Sequence, residues 1–171
     1  MKHLNKLIGV LFLAGSLAGC HIYSMTGASL SAGEKTISVA YFPNRAPLVN
    51  PTLSQEFTEK LKDKFISQTS LNMISGDGDL IFEGEIKGYD TKPIAITGNN
   101  QTDKASLNRL TVTIKVKFTN QKAPKNNFES DFTAYEDYSS DQGLDAVEGE
   151  LVPLILEKLI DDIFNRSVVN W

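Results

Sequence analysis

The chain has 171 residues, with 17 Lys+Arg against 21 Asp+Glu, a formal net charge of −4, 41% hydrophobic and 22% charged residues. That length builds one well-packed domain, and the composition excludes both a disordered tail and a polytopic membrane protein. The acidic balance argues against nucleic acid as a partner, and the single cysteine excludes a disulfide framework or a Cys-rich zinc site. Two histidines, His3 and His21, leave almost nothing for imidazole catalysis. Neither cofactor nor metal is expected.

The amino terminus carries an address. Lys2 and Lys6 precede a thirteen-residue apolar run, Leu7 to Gly19, too short to span a bilayer and ending in small residues. A buried core helix is the competing reading, but the basic flank and terminal position favour a secretory signal. The run closes on Leu17-Ala18-Gly19-Cys20, which resembles the bacterial lipobox. That resemblance implies removal of residues 1–19 as a lipoprotein signal peptide and acylation of Cys20, leaving 152 residues of formal charge −6. A single acyl chain holds a protein to a membrane only marginally, and several hold it firmly. The absence of aspartate after Cys20 resembles an outer-membrane destination, on the periplasmic face. Residues 20–34, rich in Gly and Ser, read as a tether, and 35–171 as a single domain.

Lys35 to Phe42 alternates, with Ile37, Val39 and Tyr41 on one face, and is expected to be a strand ended by Pro43. A helix is expected from near Pro51–Ser54, with Leu53, Phe57, Leu61 and Phe65 as its apolar stripe and Lys60, Lys62 and Lys64 on a solvated surface or, alternatively, in a phosphate-binding row. Gly76-Asp77-Gly78-Asp79 hints at a calcium loop but lacks its spaced ligands and terminal glutamate, so a tight turn is expected. Three strands follow. Leu80, Phe82 and Ile86 alternate with Glu83, Glu85 and Lys87. Leu110, Val112, Ile114, Val116 and Phe118 oppose Thr111, Thr113, Lys115 and Lys117. Phe128, Phe132 and Ala134 oppose Glu129, Asp131 and Thr133. Such alternation means a sheet covered on one face. Tyr89 to Ser106 is expected to be a long connection, of a length that is commonly functional or disordered.

Leu144 to Phe164 is expected to be helical, with Asp145 and Glu148 at capping-box spacing and Pro153 either kinking the helix or marking its start. The order strand, helix, three strands, helix gives an α+β fold: a two-layer sandwich of a mixed four-stranded sheet with two helices on one face.

Several segments resemble the LptE family of lipopolysaccharide-assembly lipoproteins. They are the lipobox with Cys20-His21-Ile22-Tyr23-Ser24-Met25-Thr26-Gly27-Ala28-Ser29, then Lys35-Thr36-Ile37-Ser38-Val39 with Phe42-Pro43-Asn44 and Val49-Asn50-Pro51. Asp162-Ile163-Phe164-Asn165-Arg166-Ser167 and Val169-Asn170-Trp171 complete the set. The resemblance implies a non-enzymatic outer-membrane lipoprotein that plugs and assists assembly of an LptD-like β-barrel inserting lipopolysaccharide. It further implies membrane attachment through N-terminal acyl chains. Lys87, Arg109, Lys115 and Lys117 are the candidate contacts for lipopolysaccharide, against the alternative that they pair across strands with Glu83, Glu85, Glu129 and Asp131. Two rival functions are a periplasmic lipoprotein binding a hydrophobic or anionic ligand without a barrel, and a hydrolase using carboxylates among Glu129, Asp131, Glu136, Asp137 and Asp141.

Overall fold

The computed structural model describes residues 30, 33–48, 50–95 and 106–169. The signal peptide, Cys20 and most of the tether lie outside the described residues. Five strands and two long helices form in the order β1 (Thr36–Val39), α1 (Leu53–Gln68), β2 (Asn72–Met73), β3 (Leu80–Ala95), β4 (Ser106–Asn120), β5 (Phe128–Ser139) and α2 (Leu144–Val168). The sheet order is β2-β1-β3-β4-β5. β1 runs parallel to both β2 and β3, and β3, β4 and β5 form an antiparallel meander. The α+β sandwich expected from sequence is present, but the sheet has five strands rather than four. The additional strand is two residues long, pairing Thr36 with Asn72 and Ile37 with Met73. Two residues cannot display a period of two, which is why the segment reads only as a turn.

The covered face of the sheet carries the core. Leu110, Val112, Ile114 and Val116 are fully buried, as are Phe82 and Ile86 on the adjacent strand β3. From α1, Leu53, Phe57, Leu61 and Phe65 reach the same layer, each with no exposed surface. A run of rings joins the layers: Phe65 stands 4.8 Å from Phe82 and 5.2 Å from Phe164 of α2, and Phe82 stands 4.8 Å from Phe118. Burying each such side chain contributes roughly 1.5–3 kcal/mol. β1 is shorter than its alternation suggests. Tyr41 lies beyond its end and is 61% exposed, while Phe42 takes the core position, edge-on to Phe57 at 5.0 Å.

The expected long connection from Tyr89 to Ser106 is corrected: β3 continues to Ala95 and β4 begins at Ser106, pairing Ala95 with Ser106. A bulge between Ile86 and Gly88 shifts the phase, so inward positions are even-numbered before it (Phe82, Ile86) and odd-numbered after it (Tyr89). Pro93 is tolerated because β1 pairs with β3 only from Leu80 to Phe82, leaving this stretch bonded on one side alone.

Pro153 does not mark the start of the last helix. α2 runs through it, nine positions after Leu144. The carbonyl of Gly149 that would have accepted from residue 153 belongs to an exposed residue, so water can satisfy it. Asp145 and Glu148 form no capping box either. Gly143 occupies the N-cap without a side-chain bond, and Glu148 bonds elsewhere.

Candidate interaction face

The uncovered face of the sheet is a lattice of charge. Because side chains alternate along β3, β4 and β5, every polar residue between the core positions projects to this side. Lys117 Nζ lies 3.0 Å from Glu83 and Lys87 Nζ lies 2.7 Å from Asp131. Lys115 pairs with Glu129. Arg109 grips Asp137 in bidentate fashion, Nε at 2.7 Å and Nη2 at 2.9 Å, and its guanidinium lies 3.6 Å from the centre of the Tyr135 ring. Thr113 and Thr133 share a 3.1 Å hydrogen bond between these pairs.

The four candidate cations thus share one face, and each meets a carboxylate of another strand, Lys87 reaching across β4 to Asp131 of β5. Hydrogen bonding to Glu129 raises the Lys115 pKa, and hydrogen bonding to Asp137 raises that of Arg109. The same bonds hold Glu129 and Asp137 below the ordinary carboxylate range. All the groups are partly solvent-exposed, so water screens each pair and its contribution to stability is small.

That arrangement is unsuited to carboxylate catalysis. A general acid needs a pKa raised towards neutrality, whereas Glu129 and Asp137 are shifted downwards. Asp131 is paired with Lys87 and Glu136 with Lys158 at 2.7 Å. Among the described residues no group of three or more His, Cys, Asp or Glu could hold a metal ion. At the Gly76–Asp79 segment, expected to be a tight turn, the chain bends with Gly76 at φ +98°. Asp79 is occupied by protein donors: Lys35 N at 2.9 Å, Thr36 N at 3.0 Å, Thr36 Oγ1 at 2.9 Å and Lys122 Nζ at 3.2 Å. Those bonds, led by the Lys35 amide, hold its carboxyl far below the usual range.

A second polar node lies at the other boundary of the core. Glu148 Oε1 accepts from the Tyr89 hydroxyl and from Asn50 Nδ2 at 2.9 Å. Asn50 Oδ1 in turn accepts from the amides of Thr52 and Leu53, both at 3.0 Å, closing the first turn of α1. Burial, with the Glu148 bond in support, pushes the Tyr89 hydroxyl well above its ordinary pKa. Three elements are tied at one carboxylate. Sequence spacing suggested a different partner for Glu148, and the phase shift hid Tyr89.

Fold and face together define a small two-layer α+β domain with a charged, internally paired open sheet face. The chain belongs to the LptE family, described as lipopolysaccharide-assembly, whose profile matches residues 34–167. It is accordingly a non-enzymatic lipopolysaccharide-assembly lipoprotein of the cell envelope. No curated protein matches it significantly. Among solved structures, a minor lipoprotein from Acinetobacter baumannii is similar at 14% identity over 78% of this chain and 91% of that one, with a TM-score of 0.50. A hypothetical protein from Chlamydia trachomatis is similar at 10% identity over 80% and 99%, with a TM-score of 0.53. These likenesses concern the fold. No helix among the described residues is long and apolar enough to cross a membrane.

Proposed function

We propose that the chain is acylated on Cys20 and held at the periplasmic face of the outer membrane. There it seats inside an LptD-like β-barrel, as plug and assembly aid, and supports lipopolysaccharide transport to the outer leaflet. The observation that carries this reading is the family match, which spans nearly every described element. The open face supports it physically. The lumen of a transmembrane barrel is polar, and a plug meets such a wall with a surface that is charged, internally neutralised and free of large apolar patches. In this reading the Ala95/Ser106 end of β3 and β4 enters the barrel with that face. Lys87, Arg109, Lys115 and Lys117 contact lipopolysaccharide by exchanging a neighbouring carboxylate for an anionic group of the glycolipid.

The test is affinity purification of the tagged chain from detergent-solubilised envelope, with mass spectrometry of bound protein and lipid. A co-purifying outer-membrane barrel is expected, together with raised sensitivity to detergents and hydrophobic antibiotics after depletion. Recovery of the chain alone, with an unchanged permeability barrier in depleted cells, would refute the reading.

A further inference from the structure

The cations of the open sheet are matched, whereas two cations without an ion pair among the described residues, Lys125 and Arg166, stand together away from it. A groove of about 360 Å³ runs between the β4–β5 connection and the last turn of α2, with Lys125, Asn126 and Asn127 on one wall and Asn165, Arg166 and Ser167 on the other. Among the described residues its lining contains two cations and no carboxylate. That is unusual on a chain of formal charge −4. The three other grooves described on the surface each include at least two acidic side chains: Asp77 and Glu83, then Asp63, Glu157 and Asp161, then Glu136, Asp137, Asp161 and Asp162.

Arg166 has an acid available at helical spacing, Asp162 one turn earlier, and forms no ion pair with it. Its guanidinium instead lies 5.4 Å from the centre of the Phe128 ring, over the groove. Neutralising the carboxyl end of the α2 dipole requires one cation. Lys125, on the opposite wall, is a second one without a carboxylate partner among the described residues.

The groove also lies where the chain enters the domain. Asn120 Nδ2 donates to Glu34 at 2.7 Å, and the Asn120 amide donates to Asn127 Oδ1, also at 2.7 Å. One asparagine therefore joins the incoming segment to a residue of the groove wall. Cys20 lies fourteen residues before Glu34, a reach of at most about 50 Å even when fully extended.

We infer that this groove binds the phosphate of an anionic phospholipid headgroup in the leaflet that holds the acyl anchor. Arg166 and Lys125 supply the charge, and the asparagine amides supply further donors. The placement rests on the anchoring proposed above, whereas the binding chemistry does not. Headgroup capture would fix one end of the domain against the membrane and turn the opposite end, where Ala95 pairs with Ser106, away from it. The site is separate from the four candidate cations on the open sheet.

The test uses the chain from His21 onward, which lacks the acylated residue yet retains every residue of the core described here. Amide NMR follows titration with dihexanoyl-phosphatidylglycerol, dihexanoyl-phosphatidylcholine and inorganic phosphate below their micellar concentrations. Saturable shifts at residues 125–128 and 165–169 are expected with phosphatidylglycerol. They should be absent with phosphatidylcholine and weaker by about tenfold with inorganic phosphate. The Lys125→Glu/Arg166→Glu double variant should lose at least tenfold in affinity, as expected for removing two surface cations from an anionic lipid contact, while Lys60→Glu binds as the parent does. Equal binding by the double variant, or by phosphatidylcholine, would overturn the site. Binding of inorganic phosphate as tightly as the lipid would overturn the headgroup assignment. Because acylation plays no part, failure here is distinguishable from failure of the anchor.

Discussion

Tyr89→Phe is the most informative single change for the architecture. It deletes one oxygen from a side chain that is 1% exposed and leaves the ring in place, so no cavity is created. What it removes is a bond to the Glu148 carboxylate, which among the described residues otherwise retains only Asn50 as a side-chain donor. A hydrogen bond to a charged group contributes about 1.5–3 kcal/mol. Since Asn50 and water still solvate Glu148, the loss falls around the low end of that range, about 1–2 kcal/mol. Equilibrium urea unfolding is the assay, and with a slope of about 2 kcal/mol/M the midpoint should fall by about 0.5–1 M. Glu148→Gln keeps the shape and removes the charge, so the double-mutant cycle should return a coupling energy of about 0.5–2 kcal/mol. A Tyr89→Phe protein as stable as the parent, with additive effects in the cycle, would mean that the node is not holding α1, β3 and α2 together.

Phe65→Ala should cost about 3–5 kcal/mol, because Phe65 is fully buried between Phe82 and Phe164; Phe65→Leu should recover most of it in the same urea titration. Gly84→Ala should be severely destabilising by thermal unfolding, since an added Cβ would collide with the Lys115 carbonyl and the Phe42 ring, the former being backbone that cannot step aside. Asp79 is held below its ordinary value of 3.8, so its contribution is complete above that pH and is lost as pH falls through the lower folded-state value. The stability of Asp79→Asn should therefore be reduced at neutral pH and should depend less steeply on pH between about 5 and 2. Lys117→Ala removes one half-exposed pair and should change stability by less than about 1 kcal/mol, a size that urea titration resolves.

How legible each part was depends on whether its physical signal is periodic and local. The stripe of α1 and the alternation of β4 survive in sequence because one face of each is buried over several turns or pleats, and Leu61 and Ile114 stand where period alone puts them. The distal half of β3 was hidden by one bulge at Ile86/Gly88, which moves Tyr89 to the phase opposite that of Ile86, and by Pro93, which reads as a breaker although only one edge is bonded there. β2 owes its existence to β1 and carries no pattern of its own.

The candidate site was half legible. Alternation placed Lys87, Arg109, Lys115 and Lys117 on the open face, and strand neighbours supplied the pairing alternative. Which acid each cation chooses depends on register, which is not a local property: Lys115 stands opposite Asp131 yet pairs diagonally with Glu129. Glu148 looked like a cap because spacing was all there was to read, and its true partners lie 59 and 98 residues away. Arg166 and Lys125 drew no attention for the same reason, being 41 positions apart in the chain.

The seating of the open sheet against a barrel can be measured in the intact envelope. A photocrosslinking amino acid at Thr113, in the middle of that face, is compared with one at Leu154, exposed on the helical side. In cells expressing the acylated chain at native level, ultraviolet light should join position 113, but not position 154, to an outer-membrane barrel protein. A barrel adduct formed from Leu154 alone, or none from either position while the chain remains fractionated with the outer membrane, would contradict the account.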